Sequence, residues 1–223
     1  MNGAPADLRD RPDIRDRMER MYRPQRLIYD LTRKYYLLGR DRLIVEIGAR
    51  PGERLVDIGC GTGRNLEAIA RAYPGTKLFG LDAAGVMLET TGKRFAKAGL
   101  AAPGLARGRA EALDPEAQFG IAAADHVLFS YSLSMMDDPV LALERAAACL
   151  APGGRLHVVD FGPMDGLPRP AAALLRAWLA GFDVHHRPEL VPTLRQLAQI
   201  HGGTASRRRL ARGYAEILQF RRS

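Results

Sequence analysis

Hydrophobic residues in this chain follow two patterns: short unbroken runs, and longer stretches where they recur every three or four positions. The first pattern predicts buried parallel strands and the second amphipathic helices. Residues 1–12 are polar and contain proline, as a frayed end would. From Asp13 to Tyr22, Arg alternates with acids while Ile14, Met18, Met21 and Tyr22 make a stripe, predicting a helix laced with ion pairs. Pro24 interrupts it. A second helix carries Leu27, Ile28, Leu31, Tyr35 and Leu38 and ends at Gly39; a third, with Leu43, Ile44 and Ile47, stops before Pro51-Gly52. These helices precede the first strand, so residues 1–50 are expected to form a helical lid on a domain spanning 51–223.

From Leu55 onward strands and helices alternate. Strands are predicted at Leu55–Ile58, Lys77–Asp82, Leu105–Arg109, His126–Leu133 and Arg155–Phe161. Helices are predicted at Arg64–Tyr73, Val86–Ala98, Pro139–Leu150, Pro170–Phe182 and Pro188–His201. Two last β-like runs, Thr204–Leu210 and Tyr214–Phe220, flank Gly213 and could pair as an antiparallel hairpin. This order predicts an α/β doubly wound parallel sheet with an antiparallel C-terminal addition.

Candidate chemistry concentrates where the first strand meets its helix, at Asp57-Ile58-Gly59-Cys60-Gly61-Thr62-Gly63. Glycines there let a ligand approach the backbone with no Cβ in the way. A dinucleotide fingerprint would put its third glycine where Arg64 stands, and a P-loop would need Gly-Lys-Ser/Thr. Asp57 inside the turn would repel a pyrophosphate but attract an α-amino group. Asp82 ends the second strand, 25 residues later, where a carboxylate can accept from both ribose hydroxyls. Ala110-Glu111 follows the third strand and Ser130-Tyr131 the fourth, all at the carboxyl ends where such sheets bind ligands. Met87 could cover an adenine face or simply pack in the core.

Composition adds charge. The 223 residues carry a net charge of +8, with a pI near 9.9, which suits an anionic partner or a solvated arginine-rich surface. Two cysteines, Cys60 and Cys149, suggest no disulfide framework, and no apolar run reaches the roughly 18 residues of a membrane span. His185-His186 invites a base or metal reading, but adjacent residues on an extended chain face opposite ways, and no His, Cys or Asp spacing supports a metal.

Val56 to Gly63 resembles motif I of the class I S-adenosylmethionine-dependent methyltransferases. Gly80-Leu81-Asp82 with Met87-Leu88 resembles their motif II, and Leu150 to Leu156 their turn into strand five. The resemblance implies a Rossmann-like seven-stranded sheet, S-adenosylmethionine as cofactor with S-adenosylhomocysteine as product, and no metal. The cofactor-binding residues it implies are Asp57, Gly59, Cys60, Gly61, Thr62, Gly63, Asn65, Asp82, Ala83, Met87, Ala110, Glu111 and Ser130. One departure is Arg109, where many relatives have an acid; it puts the adenine amino contact of the Ala110-Glu111 pair in doubt.

Three further segments, Arg26–Asp41, Phe129–Met136 and His157–Gly162, together with Arg212–Ala215, look like the N-methyltransferases of betaine-lipid synthesis, the BtaB type. That family trimethylates the amine of diacylglyceryl homoserine. The resemblance implies Tyr131, Tyr29 and Tyr36 as catalytic candidates, through aromatic faces for a fixed cation and phenolic acceptors. Arg33, Lys34 and Arg40 are candidates for the homoserine carboxylate, and His185 for a place beside the substrate. Arg207, Arg208, Arg209, Arg212, Arg221 and Arg222 suggest docking on anionic headgroups. The expected setting is cytoplasmic, peripheral to the inner face of the membrane. Close alternatives are phosphatidylethanolamine N-methylation and C-methylation of a ubiquinone or menaquinone ring. Nucleic acid is disfavoured, since the arginines are not interleaved with an RNA module and no Asn-Pro-Pro-Tyr-like motif follows strand four. Oligomeric state is not legible.

Overall fold

The computed structural model describes residues 37–223. Within them the strands are β1 (Arg54–Ile58), β2 (Lys77–Asp82), β3 (Gly104–Arg107), β4 (Ala124–Ser130), β5 (Leu150–Phe161), β6 (Thr204–Leu210) and β7 (Ala215–Arg221). They form one sheet in the order β3-β2-β1-β4-β5-β7-β6. Strands β1 to β5 are parallel, and β7 runs antiparallel between β5 and β6. The expected α/β class, strand number and antiparallel C-terminal hairpin are therefore what the chain forms.

Apolar runs become central strands because both faces of the sheet are covered. Leu55, Leu128, Val159 and Ile217 pack on one face, with α1 (Arg40–Glu46), α2 (Arg64–Ala72), α3 (Gly85–Ala98) and the inner side of α6 (Arg169–Ala180). Their neighbours Val56, Val127, Val158 and Leu218 pack on the other, with α5 (Pro139–Ala148) and α7 (Leu190–Ile200). A short helix the periodicity did not signal, α4 (Pro115–Phe119), starts where the Asp114 carboxylate accepts from the Glu116 and Ala117 amides at 3.1 Å. Strand β4 ends at Ser130, three residues before its expected end at Leu133, because Tyr131 takes φ +55° and turns the chain aside.

The third of the N-terminal helices, α1, packs its apolar side onto the sheet. Leu43, Ile44 and Ile47 are at most 5% exposed and join the same cluster as Leu55. Tyr73 pins this segment: its hydroxyl donates to the Ile44 and Val45 carbonyls and accepts from the Gly48 amide. The two earlier helices, with Tyr29, Arg33, Lys34 and Tyr36, lie outside the described residues.

At the amino ends of the strands, Asp125 accepts from the Arg54 amide and guanidinium at 2.8–3.1 Å. Beside it Glu53 meets His126 at 3.0 Å and His126 meets His157 at 3.1 Å, all far from the glycine turn. Burial pushes the His157 imidazole down to about 3, with the neighbouring His126 and Arg155 charges adding to the effect.

Candidate cofactor and acceptor site

The glycine turn leaves β1 and enters α2 at the carboxyl edge of the sheet. Gly59 and Cys60 donate their amides to the Leu81 carbonyl, tying the turn to β2. A Cβ on Gly59, at φ +73°, would stand 2.7 Å from the Ser132 Cβ, and one on Gly63 2.6 Å from Thr91. These two glycines admit other parts of the protein. Gly61 differs: at φ +55° its missing Cβ would meet nothing within 4 Å, so that side of the turn is open to a ligand. From behind, Thr91 donates to the Gly61 carbonyl and Arg94 to that of Thr62, at 2.9 and 2.7 Å.

Asp82 ends β2 beside this opening. One carboxylate oxygen accepts from the Gly61 amide at 2.8 Å and the other from the Ala84 amide at 2.9 Å. Asp57 lies beneath, fully buried, with no well-aligned hydrogen bond to either oxygen. Burial pushes its carboxyl up to about 7; Asn65 in the first turn of α2 opposes this and the charge of Asp82 adds to it. The Ser130 hydroxyl, at the end of β4, is also buried without a partner. Unsatisfied buried polar atoms beside an open backbone cradle are what a polar, positively charged ligand would complete. The residues present thus fit S-adenosylmethionine: Asp57 toward its amino group, Gly61 along its chain and Asp82 at its ribose.

Other expected cofactor residues take differing places. The Thr62 carbonyl and the Ala83 carbonyl are acceptors for Arg94 and Arg107, so both help shape the loops. Met87 is 2% exposed and packs with Ala84, Val86 and Met135. Ala110 is buried, while Glu111 is turned to Arg109, which reaches it at 3.0 Å and Asp137 at 2.8 Å. That ion pair occupies the carboxylate expected near adenine. The Cys60 thiol lies in the core near Gly80, where burial raises it well above its usual range, so only the backbone of Cys60 belongs to the turn's open side.

At the acceptor end, the catalytic reading of the Tyr131 hydroxyl is corrected. Tyr131 is 2% exposed, edge-on to Phe161 at 4.7 Å, and donates to the Leu38 carbonyl. Burial raises the phenol far above its usual range, so it keeps its proton and is not available as a phenolate base. Arg40 does come to this end: its guanidinium stands near Tyr131 and pairs with Asp41 at 2.9 Å. The side chain of His185 is more than half exposed, 3.7 Å from Asp183, and only its backbone reaches inward, donating to the Ser134 carbonyl. His186 is the enclosed one of the pair; its Nε2 is buried without a partner and burial lowers its basicity.

The sequence reading also missed Asp160 and Glu216. They lie opposite one another across β5 and β7, 2% and 1% exposed. Asp160 accepts from the Ser134 and Phe161 amides, and Glu216 from Arg207 at 2.7 Å. An acid at the carboxyl end of a strand was the signal that found Asp82, and the same rule would have found Asp160. Several arginines of the tail make ion pairs within the protein. Arg207 pairs with Glu216, Arg208 with Glu46 and Arg209 with Asp165, while Arg222 donates to the Leu150 carbonyl. Among the described residues no group of His, Cys and acids could hold a metal, and no helix is long and apolar enough to cross a membrane.

Comparison with known proteins places this geometry. Residues 56–156 match the family model described as a methyltransferase domain. That stretch thus carries the methyltransferase-domain pattern, and the strand order is that of the class I methyltransferase fold. It is similar to nocamycin O-methyltransferase of Saccharothrix syringae, with 33% identity over 156 residues, 69% of this chain and 51% of that protein. It is also similar to demethylmenaquinone methyltransferase of Beutenbergia cavernae, 33% over 146 residues, 63% of this chain and 56% of that protein. The chain spans about half the length of the curated relatives it matches. In fold it resembles magnesium protoporphyrin IX methyltransferase from Synechocystis, solved with bound S-adenosylhomocysteine, at a TM-score of 0.64 and 18% identity, covering 95% of each chain.

Proposed function

We propose that this protein is an S-adenosylmethionine-dependent N-methyltransferase that successively methylates a lipid amine, with diacylglyceryl homoserine as acceptor. The observation that carries the choice of an amine is the buried carboxylate of Asp160 at the carboxyl end of β5, with Glu216, paired to Arg207, opposite it at the amino end of antiparallel β7. Methylating an amine builds positive charge on nitrogen, which nearby carboxylates stabilise, whereas a phenolate or enolate nucleophile would be repelled. Arg40, at the same end, supports a carboxylate-bearing headgroup, and Tyr29, Tyr36, Arg33 and Lys34 remain candidates for the remainder of that site. Peripheral attachment to the cytoplasmic membrane face belongs to the same reading.

When bound, the cofactor supplies an electrophilic methyl group. Gly61, Asp57 and Asp82 fix the direction it presents, and Ser132 and Thr91 hold the turn rigid. The acceptor nitrogen must approach unprotonated. Asp160, which accepts from the Ser134 and Phe161 amides, is the acid this reading assigns to the charge that forms there. Each round adds one methyl to nitrogen and, in the first two rounds, releases one proton.

A second reading, C-methylation of a quinone ring, draws support from the similarity to demethylmenaquinone methyltransferase. One incubation separates the readings: protein, labelled S-adenosylmethionine and purified lipids, with products resolved by mass. The proposal expects successive methyl additions to diacylglyceryl homoserine. Label confined to phosphatidylethanolamine, a quinone or RNA would reject it.

A further inference from the structure

The strand order sets the direction in which a bound nucleoside would lie. With its amino-acid part at Asp57 and Gly61 after β1 and its ribose at Asp82 after β2, its base extends toward the next strand out, β3. The segment that follows β3 is tied to that place. The Gly108 amide donates to the Asp82 carbonyl at 3.0 Å, and Arg107 donates to the Ala83 carbonyl at 3.1 Å. The chain then passes through Arg109 into a short 3₁₀ turn, Ala110–Ala112, that carries Glu111.

A 6-aminopurine offers two N–H donors on that side, and a carboxylate is the strongest acceptor a protein can set against them. Here the polar side chains of the segment are already engaged. Arg109 lies along both oxygens of Glu111, with Nε 3.3 Å from Oε2 and Nη2 3.0 Å from Oε1, and the Asp138 amide adds a 3.4 Å contact to Oε1. The same guanidinium reaches Asp137 at 2.8 Å, joining the segment after β3 to the loop after β4. Gln118, beside Gly108, donates to the Ala112 carbonyl at 3.4 Å and accepts from the Asp114 amide at 3.1 Å. A guanidinium carries donors and no acceptor, so it cannot pair with an amino group in place of the acid it covers.

We propose that Arg109 sets the base selectivity of this protein: the site grips the nucleoside through its ribose and does not read the 6-amino group of the purine. The inference deepens the S-adenosylmethionine reading of the site and rests on it. Calorimetric titration of the full-length protein compares S-adenosylhomocysteine with its 6-deamino analogue, in which hydrogen replaces the amino group. Wild type should bind the two within about threefold of each other, since no charge-assisted contact to the amino group is lost. Arg109→Gln releases the Glu111 carboxylate, and the preference for the amino compound should rise to at least about tenfold. The double variant Arg109→Gln/Glu111→Ala should return to the wild-type ratio. An arginine that merely staples two loops would, when replaced, weaken both ligands alike and leave the ratio unmoved. That result, or a wild-type preference of about tenfold or more, would overturn the proposal while leaving the cofactor reading standing. Binding of neither compound by wild type would reject the cofactor reading and the proposal with it.

Discussion

The two ends of the site are built differently. Around the glycine turn, function rests on backbone: positive-φ glycines, amides aimed at Asp82, and a buried carboxyl with no well-aligned hydrogen bond. At the acceptor end it rests on side chains brought from distant segments, with Asp160 reaching Ser134, Arg207 reaching Glu216 and Tyr131 reaching back to Leu38. A backbone cradle can be recognised by local spacing. A side-chain constellation depends on strand order and register, which only the folded sheet supplies.

The largest expected effect lies within the turn. Gly59→Ala places a Cβ against Ser132 at positive φ and should cost about 3 kcal/mol. Gly61→Ala meets open space and should cost only about 1 kcal/mol of stability, its damage falling on cofactor affinity instead. Chemical denaturation and calorimetric titration of both variants separate the two costs. Equal stability losses would show that both glycines face protein alike.

A second effect is pH dependence. The Asp57 carboxyl, at about 7 in the folded protein against an ordinary value near 3.9, holds a proton that the unfolded chain lacks. Stability of the free protein should therefore fall as pH rises from about 4 to about 7 and then level off. A cationic cofactor favours the ionised carboxylate, so its affinity should rise with pH over the same range, by up to about tenfold per pH unit below 7. Asp57→Asn should flatten both profiles. An unaltered affinity profile in that variant would assign the proton to another group.

Smallest is Tyr131→Phe. Losing the bond to the Leu38 carbonyl should cost about 1 kcal/mol and leave methyl transfer within a few-fold of wild type. A tenfold slower rate at unchanged stability would restore the hydroxyl to the reacting centre.

These differences explain what the sequence revealed. Strand and helix order was legible because alternating buried runs and amphipathic stretches have distinct periods, and the antiparallel hairpin because Gly213 separates two β-like runs. Asp57, Gly61 and Asp82 were legible from their spacing. The side-chain directions of Cys60 and Glu111 were not legible, because a motif names positions only: one turns into the core, the other to Arg109. Tyr131 was misread because nothing local announces its φ of +55° or the distant carbonyl that receives its hydroxyl. The surface that α1 covers was not legible, because its apolar residues carry no label for what they pack against.

The central claim is that cofactor and acceptor are held by separate acids, Asp82 and Asp160. Calorimetric titration of S-adenosylhomocysteine into wild type, Asp82→Ala and Asp160→Asn tests it directly. The account predicts binding to wild type and to Asp160→Asn with similar affinity, and at least roughly a hundredfold weaker binding to Asp82→Ala, the cost of a charge-assisted contact to ribose. No binding to wild type, or equal losses in both variants, would contradict it.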